Sequence, residues 1–321
     1  MKTITAQSKK KIMKKYIWTC YVPILFLLQS VFVLSDRPTH HPSNNSRVAL
    51  MIYSGGSSNE LISTIRHFAS HISQGWIFQF FYANHTLLDP LKRLSSEFRH
   101  KFVLSRIHHT WESHLRNRDT LNAFFVKRVD FWRMVVGERI LTIQPDATVC
   151  SNSPSNLDNF IKYDYIGAPW PYDWLIGGNS NYTIQIDSRE FFGGNGGLSI
   201  RSRESMIQCS LAALNGSYPY DYPLGEDIYF ASCLKYYLKS KALPGQFTSS
   251  KFAFESHLGD EHPWGCHKCW KHISNVNDLL RICPNALLAA LRYFTKLQDP
   301  RRRLYADALR QIGWKDEVDP F

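Results

Sequence analysis

The sequence lacks the spacings of the two best-known phosphate-binding loops. Its most glycine-rich stretch, residues 191–201 (FFGGNGGLSIR), contains neither G-x-G-x-x-G nor G-x-x-x-x-G-K-[ST]. A dinucleotide-binding protein and a P-loop protein are therefore weak interpretations. The chain also lacks internal repeats and low-complexity tracts, and 44% of its 321 residues are apolar. It is long and apolar enough for one large folded domain with a short extension, and it is not disordered.

Positive charge is scarce outside the two ends of the chain. The formal net charge is +11, but six lysines precede residue 16 and three arginines occupy residues 301–303. A nucleic-acid-binding face would spread Lys and Arg over the fold, with aromatic residues between them. We therefore expect no nucleic-acid partner.

One apolar segment, residues 16–34, is long enough to cross a bilayer as a helix, at about 1.5 Å per residue. Five lysines lie close on its N-terminal side, and this bias predicts a cytosolic basic tail at residues 1–15. The predicted topology is a single-pass type II transmembrane anchor followed by a stem at residues 35–46. A signal peptide cleaved near Ser35 is the alternative. Both place the domain in the lumen of the secretory pathway, and we expect the Golgi.

Cysteine is sparse, with seven residues in the chain, one of them (Cys20) in the apolar segment. The other six are an even number that could pair in an oxidising compartment: Cys150, Cys209, Cys233, Cys266, Cys269 and Cys283. Four acceptor sequons for N-glycans agree with that compartment, and they begin at Asn44, Asn84, Asn181 and Asn215. The expectation is a glycoprotein that faces the lumen.

Strand-like apolar runs alternate with segments of helical spacing. The predicted strands are residues 47–53, 76–82, 102–107, 139–143 and 163–166, with another run beginning at Leu198. The predicted helices are 61–72, 119–136, 203–214 and 226–238, and two more at 286–297 and 303–312 form a C-terminal helical cover at 284–321. This alternation predicts an α/β domain whose mostly parallel sheet is covered by helices on both faces. Such sheets bind ligands at the carboxyl ends of their strands.

The glycine-rich stretch places four glycines around one asparagine at residues 193–197. Glycine is kept where the backbone needs a positive φ or where another group approaches closely. A sugar or a phosphate is such a group, so the stretch is predicted to approach a ligand. A tight hairpin turn is the alternative, although it needs only one or two glycines.

Five sequence blocks occur in an order that resembles a known family. They are residues 144–146 (QPD), 163–170 (YDYIGAPW), 194–203 (GNGGLSIRSR), 226–230 (EDIYF) and 262–270 (HPWGCHKCW). Together they resemble the glycosyltransferase-like family called domain of unknown function 5672, which is itself similar to the GT-A class of nucleotide-sugar transferases. The resemblance covers residues 47–275 and implies a GT-A-like (Rossmann-like) catalytic domain at residues 47–283, with a mixed, mostly parallel sheet.

The resemblance implies transfer of a sugar from a nucleotide-sugar donor to a hydroxyl group of a glycan or protein acceptor, with inversion and with help from a divalent metal. That reaction needs charge neutralisation on the departing diphosphate, a base for the acceptor, and a close-fitting sugar pocket. A non-catalytic carbohydrate-binding or scaffolding protein on the same fold is the alternative.

Asp146 matches the last position of the metal-binding D-x-D motif, and the resemblance implies that it holds Mn²⁺ or Mg²⁺ together with His267. Gln144 stands where the first acid of that motif would be, which leaves the metal dependence open. His262 is an alternative to His267, and Lys268 is expected to meet the diphosphate. On local sequence alone, Asp146 could equally be an acid in a turn, and the His and Lys could be surface residues of a Pro/Gly turn.

Glu226 and Asp227 resemble the acidic pair that follows the glycine-rich block in inverting GT-A enzymes. The resemblance implies a catalytic role for the pair, with Asp227 as the base that takes the acceptor proton. The alternative is that both acids complement the dipole at the N-terminus of a helix.

The remaining predicted site residues would contact the donor or the acceptor: Gly194, Asn195, Gly196, Gly197 and Gln144. Trp170 would offer an apolar plane on which a sugar ring stacks, although it could equally belong to the core. Ser54 follows the first strand, where GT-A folds place the nucleotide.

The C-x-x-C spacing of Cys266 and Cys269 raises a separate hypothesis of a zinc or redox site. A tetrahedral zinc site needs two more ligands at similar spacing. Only the scattered His257, His262 and Cys283 are available, so this interpretation ranks behind the others.

Overall fold

The strand-forming segments assemble into two sheets. The computed structural model describes residues 46–53, 58–83, 101–115, 117–170, 193–220, 225–256, 262–272, 275–287 and 289, all within one compact unit. The strands are β1 (Arg47–Tyr53), β2 (Trp76–Tyr82), β3 (Phe102–Arg106), β4 (Arg139–Ile143), β5 (Ala147–Val149), β6 (Tyr165–Gly167), β7 (Leu198–Ser202), β8 (Ala253–Phe254) and β9 (Gly265–His267).

The larger sheet has six strands in the order β3-β2-β1-β4-β7-β6. Strands β1 to β4 are parallel to one another. Strand β7 is antiparallel to both of its neighbours, β4 and β6. Five of the six strands therefore point the same way. The predicted α/β class with a mostly parallel sheet is confirmed, and the carboxyl ends of β1 to β4 lie along one edge.

Helices cover both faces of this sheet. They are α1 (Ser58–His71), α2 (Arg118–Lys127), α3 (Val129–Met134), α4 (Arg203–Asn215), α5 (Glu226–Ser232), α6 (Gln246–Phe252), α7 (Cys269–His272) and α8 (Val276–Ile282). Side chains of β1 alternate between the two faces, as a strand requires. Ala49 and Met51 pack in the core beneath α1, while Val48 and Leu50 pack with α3 and α5. Burial on both faces explains why the strands are continuous apolar runs.

A second, smaller sheet has the order β5-β9-β8. In it β5 pairs antiparallel with β9, which places Ala147 opposite His267, and β8 pairs parallel with β9. These strands of two or three residues are too short to show a period of two, so no sequence pattern predicts them. They matter because they bring the chain near His267 back to the end of β4.

Two predicted elements differ from the structure. The predicted helix at residues 119–136 is divided into α2 and α3 at Arg128, whose φ is −111° and ψ is 81°. At this break the indole N–H of Trp132 donates to the carbonyl of Phe125 at 2.8 Å, and so replaces a helical backbone donor. The predicted strand at 163–166 begins only at Tyr165, because Tyr163 closes a turn onto Phe160.

The six cysteines of the domain pair into three disulfides. Cys150 bonds to Cys283, and the other two pairs are Cys209–Cys233 and Cys266–Cys269. The expected pairing is confirmed. The C-x-x-C thiols are joined to each other, so they offer no thiolate ligands for the zinc hypothesis.

Several predictions concern residues outside the described ones. These are the basic tail (1–15), the anchor (16–34), most of the stem (35–46), Ser54, the sequons at Asn44, Asn84 and Asn181, and the C-terminal cover beyond residue 289. Within the described ranges, no helix combines the length and the apolar character needed to span a membrane. The fourth sequon begins at Asn215, the last residue of α4, and its three residues are exposed.

Candidate active site

The site begins where β4 ends. After Ile143 the chain turns, and the N–H of Gln144 donates to the carbonyl of Gly197 at 2.8 Å. The N–H of Ala147 then donates back to the carbonyl of Gln144 at 3.0 Å and starts β5. This turn holds Asp146 between the two sheets, beside the start of β7. The structure thus confirms that residues 144–146 follow a strand.

Asp146 lies between two basic side chains. Its Oδ1 is 3.2 Å from Nε2 of His267, and its Oδ2 is 3.3 Å from Nζ of Lys268. The backbone N–H of Lys268 also donates to the carbonyl of Asp146. Burial by itself would raise the pKa of Asp146, but the attraction of His267 and Lys268 outweighs it and holds the pKa well below its usual range. Asp146 is therefore an anion at all physiological pH values.

The imidazole of His267 is held on both sides. Its Nδ1 is 3.1 Å from Oε1 of Glu255, a residue that follows β8, and its Nε2 is 3.1 Å from Oε1 of Gln144. The ring is buried. Burial alone lowers the pKa of His267, but the carboxylates of Asp146 and Glu255 reverse this and raise the pKa. Glu255 was not predicted from the sequence.

The donor atoms around Asp146 fit a divalent cation. Asp146 Oδ1 is a buried oxygen whose close polar neighbour is Nε2 of His267 at 3.2 Å, and the amide oxygen of Gln144 lies 3.1 Å from the same nitrogen. Oxygen and imidazole donors suit Mn²⁺, and a carboxylate on the far nitrogen of a metal-binding His is the usual way to orient the ring. Among the described residues, no group of three or more His, Cys, Asp or Glu side chains converges on one point. The side chains that would bind a cation here are Asp146, His267 and Gln144.

The glycine loop reaches this site through two backbone features. Gly193 and Gly194 have positive φ values of 79° and 131°, which side-chain-bearing residues rarely adopt. Asn195 then closes a tight turn, since its Oδ1 accepts the N–H of Gly197 at 2.7 Å. At Gly197 a Cβ atom would collide with the ring of His267. The bare backbone is therefore required by contact with the imidazole.

Asp227 lies on the other side of the same loop. The N–H of Gly196 donates to its Oδ2 at 3.2 Å, and the N–H of Ile228 donates to its Oδ1 at 2.9 Å. Burial and the adjacent negative charge of Glu226 raise the pKa of Asp227 to about 6. The structure confirms that both acids open a helix, α5.

Glu226 has a different environment from Asp227. Both of its carboxylate oxygens accept hydrogen bonds from Arg201, at 2.7 and 2.8 Å. Arg201 lies on β7 and is 1% exposed. The sequence analysis predicted a catalytic role for Glu226 and Asp227. In the structure the carboxylate of Glu226 forms an ion pair with the buried Arg201.

The structure brings most of the predicted residues together. Gly196 and Gly197 are consecutive, and they lie against Asp227 and His267 respectively. Trp170 is only 7% exposed and packs with Ala231, which favours the core role that the sequence left open. The alternative ligand, His262, lies instead beside Asn152.

Two residues of the site were missed. Glu255 is an acid directly after the apolar run Phe252-Ala253-Phe254, and Arg201 is the charged residue of β7, all of whose residues are buried. A charged residue in a strand that is otherwise buried is a signal of a specific partner. The partners themselves are 12 and 25 residues away, and no local pattern names them.

Comparison with known proteins gives one family and several distant structures. A family model described as "Protein of unknown function (DUF5672)" matches residues 105–267, a range that includes Asp146, Asp227 and His267. No curated protein matches the sequence. The solved structures that resemble this chain are too distant to indicate its function, so any functional inference rests on the geometry of the site.

Three of the similar solved structures are described as a xylosyltransferase, a core-mannan synthase and a mannosyltransferase. The apo crystal structure of mouse xyloside xylosyltransferase 1 is 11% identical with a TM-score of 0.43, over 71% of this chain and 99% of that one. Core-mannan synthase A from Aspergillus fumigatus, in its Mn/GDP form, is 10% identical with a TM-score of 0.39, over 66% and 74%. A mannosyltransferase from Pyrobaculum calidifontis in complex with GDP-Man and Mn²⁺ is 12% identical with a TM-score of 0.34, over 91% and 88%.

Proposed function

The chain belongs to the DUF5672 family, whose description is that of a protein of unknown function, and we propose that it is a glycosyltransferase. In the proposed reaction a sugar moves from a nucleotide-sugar donor to a hydroxyl group of a glycan or protein acceptor. One observation carries the proposal: two consecutive glycines, Gly196 and Gly197, lie against Asp227 on one side and His267 on the other. A base and a site for a diphosphate thus flank one stretch of bare backbone.

The Asp146 side of the loop suits the departing diphosphate. A divalent cation bound there would neutralise the charge that develops on the leaving group. Asp146 and His267 would hold the cation with the amide oxygen of Gln144, while Glu255 keeps the imidazole turned towards Asp146. The ammonium group of Lys268, 3.3 Å from Asp146, adds a second positive charge for the phosphate oxygens.

Asp227 is the proposed base. With a pKa of about 6, its carboxylate is ionised at neutral pH and binds a proton more readily than an ordinary aspartate does. As the acceptor oxygen bonds to the anomeric carbon, the bond from that carbon to the diphosphate breaks, and the hydroxyl proton passes to Asp227. Attack from the side opposite the leaving group inverts the configuration. Glu226 stays paired with Arg201, and its negative charge helps to raise the pKa of Asp227.

The glycine loop is the proposed contact surface for the sugar. At Gly194, Gly196 and Gly197 the positions of absent side chains are filled by neighbouring protein atoms, so we propose that the sugar meets the opposite side of this backbone. Asn195 holds the turn through its side-chain oxygen and keeps its amide group for a ligand hydroxyl. The buried ring of Trp170 supports the loop, since its Cη2 would lie 3.6 Å from a Cβ built at Gly193.

A second candidate function is non-catalytic carbohydrate binding on the same fold. One observation favours it: Gln144 replaces an acid, so the candidate metal site has one negative charge fewer than a D-x-D pair would give. A site with Asp146 as its one acid, already paired with Lys268, would bind a divalent cation less tightly.

We also propose that the domain works in the secretory lumen, in the Golgi, held by the predicted anchor. Three disulfides among the described cysteines support an oxidising compartment. The exposed sequon at Asn215 supports it too. We expect the full chain expressed in cultured animal cells to lose mass on treatment with an N-glycosidase, and the loss to shrink in Asn215→Gln. No change of mass in the wild-type protein would contradict lumenal placement.

The catalytic proposal is tested by incubating the full chain with a panel of UDP- and GDP-sugars, with and without Mn²⁺, and measuring released nucleotide diphosphate. We expect hydrolysis of at least one donor that increases with Mn²⁺ and is lost in Asp146→Asn and Asp227→Asn. The matched controls are Asp158→Asn and Asp130→Asn. Asp158 is a turn acid paired with Arg47, and Asp130 lies in the first turn of α3.

The same panel distinguishes the two functions. Stabilisation by a glycan without turnover of any donor, and without any effect of Mn²⁺ on thermal unfolding, would favour the binding protein. A ligand present at a hundred times its dissociation constant raises the free energy of unfolding by about 2.7 kcal/mol, so thermal unfolding detects either case.

A further inference from the structure

Arg201 is a buried charge for which the proposed reaction has no direct use. It lies near the C-terminal end of β7, is 1% exposed, and its guanidinium group is surrounded by aromatic rings. Its Cζ lies 5.1 Å from the ring centre of Tyr165 and 5.9 Å from those of Trp132 and Phe230. A cation enclosed in this way cannot reach a diphosphate in the site, so its role must be exerted through its protein partners.

Those partners connect Arg201 to the glycine loop and to the first residue of α5, next to Asp227. Its Nη1 and Nη2 donate to the two carboxylate oxygens of Glu226, and Nη2 also donates to the carbonyl of Gly196 at 3.1 Å. Its Nε donates to Oγ of Ser199 at 2.9 Å, and that hydroxyl donates to the same carbonyl at 3.0 Å. The carbonyl of Gly196 is therefore held by two buried donors.

The Gly196 residue connects this network to the proposed base. Its carbonyl is fixed by Arg201 and Ser199, while its N–H donates to Asp227 Oδ2 at 3.2 Å. A Cβ at this position would meet Glu226 and Arg201, so the packing leaves no freedom here. Any tilt of the Gly196 backbone would move the donor that orients Asp227.

Stability does not explain such a buried pair. Replacing a buried ion pair by apolar residues of similar volume is often neutral or stabilising, because two charges need not then be desolvated. What an apolar pair cannot supply is the directed hydrogen bond to the carbonyl of Gly196. The planar guanidinium group can bind a carboxylate with two parallel hydrogen bonds and donate to a third oxygen at the same time.

We infer that Arg201 is a positioning residue: together with Glu226 it fixes the Gly196–Gly197 backbone, and thereby holds Asp227 and His267 at the two sides of the loop. The positional part of this inference concerns the loop alone. Its consequence for turnover rests on the proposed function.

The test compares two buried arginines of the same strand end. Arg201→Lys keeps the charge but loses the paired hydrogen bonds to Glu226. Arg203→Lys is the matched control, because Arg203 is also buried and donates to backbone carbonyls of Trp132 and Arg133, away from the loop. The double variant Arg201→Met/Glu226→Met keeps the volume and removes both charges, so it covers the case in which the single variant folds poorly.

Hydrogen exchange measured by mass spectrometry on the full chain gives the first readout. We expect amide exchange in residues 193–200 to accelerate by about tenfold or more in Arg201→Lys and in the double variant, with β1 and β2 unchanged. Arg203→Lys should leave this segment as in the wild type. Unchanged exchange in residues 193–200, or equal acceleration throughout the sheet, would overturn the inference and leave the pair with a purely structural role.

Turnover of the nucleotide sugar that the wild-type protein hydrolyses gives the second readout. We expect kcat to fall by about 10- to 100-fold, with KM for that donor changed less than about threefold, because orientation is lost and binding is not. A rise in KM with unchanged kcat would contradict the inference. If the wild type hydrolyses no donor, the proposed function fails, while the exchange experiment still decides whether Arg201 positions the loop.

Discussion

Asp146 and Asp227 are the same residue type on two sides of one loop, and their environments move their pKa values in opposite directions. Asp146 lies between His267 and Lys268, which hold its pKa well below the usual range. Asp227 lies in a buried setting beside Glu226, and its pKa rises to about 6. Oppositely shifted acids suit different roles: one stays an anion throughout the physiological range, and the other can exchange a proton near pH 6.

The two sides also differ in how far their polar atoms are already paired. Asp146 and Lys268 keep a quarter or more of their side-chain surface exposed, and the ion pair between them is 3.3 Å long. In the Arg201–Glu226 pair the side chains are 2% and 10% exposed, and each carboxylate oxygen is bonded. One side is therefore open to a ligand, and the other is built to hold its geometry.

The largest expected effect comes from a change in the glycine loop that lies between Asp146 and Asp227. In Gly197→Ala the added Cβ collides with the buried ring of His267. We expect turnover to fall by about 100-fold or more, since a displacement of about 1 Å in a site has that effect. Donor hydrolysis measures it. Gly245→Ala is the control, because a Cβ there meets nothing within 4 Å, and wild-type turnover in Gly197→Ala would show that the contact is unimportant.

A smaller effect is expected when only the Asp146 side is changed. Glu255→Gln keeps a hydrogen-bond partner for Nδ1 of His267 but removes the charge behind it. We expect the affinity for Mn²⁺ to fall by about 10- to 100-fold, as it does when the carboxylate behind a metal-binding His is lost. Titration calorimetry with Mn²⁺ alone gives this value without any turnover. Affinity equal to the wild type would argue that His267 binds no metal.

The other side is tested through its pH dependence. In the wild type we expect kcat/KM to rise with pH through about 6, as Asp227 loses its proton. Glu226→Gln removes a negative charge that raises this pKa and frees Arg201 to lower it further. The midpoint of the rise should therefore move to lower pH. A pH–rate profile measures the shift, with a thermal unfolding curve as the control for folding, and a shift to higher pH would contradict the assignment of Asp227.

The smallest expected effect concerns stability. The pKa of Asp227 is higher in the folded protein than the ordinary value near 3.8, so ionisation favours the unfolded state. The stability that the protonated form contributes is complete below about pH 4 and is lost as the pH rises to about 6. A shift of this size corresponds to about 3 kcal/mol at full effect, and solvent screening of the half-buried Asp227 reduces it. We therefore expect Asp227→Asn to gain about 1 to 3 kcal/mol relative to the wild type across this window. Urea unfolding at pH 4 and pH 7 measures it, and a constant difference would show that Asp227 is not perturbed.

The sequence predicted the central strands to the residue. The predicted ranges for β1, β2 and β4 coincide with the observed ones, because strands buried on both faces are continuous apolar runs with polar or glycine-containing ends. The position of Asp146 after β4 and of Asp227 at the start of α5 was predictable for the same reason. Each lies at the end of an element with a strong local signal.

The pairings that complete the site were not predictable. Glu255 reaches His267 only because β8 and β9 pair in a three-stranded sheet, and strands this short carry no periodicity. Arg201 could be recognised as an unusual charge in a strand, but its choice of Glu226 depends on how α5 packs against β7. Long-range pairing of this kind is decided by tertiary packing, which a single sequence does not reveal.

The reversed direction of β7 determines which part of the chain reaches the candidate site. Because Leu198 pairs with Ile143 and Ser202 pairs with Arg139, the start of β7 stands level with the finish of β4. The glycines, which precede β7, therefore lie at the rim of the candidate site, beside the C-terminal end of β4. Had β7 run with its neighbours, the residues after Ser202 would have occupied that rim, and α4 would have stood where the saccharide is proposed to sit.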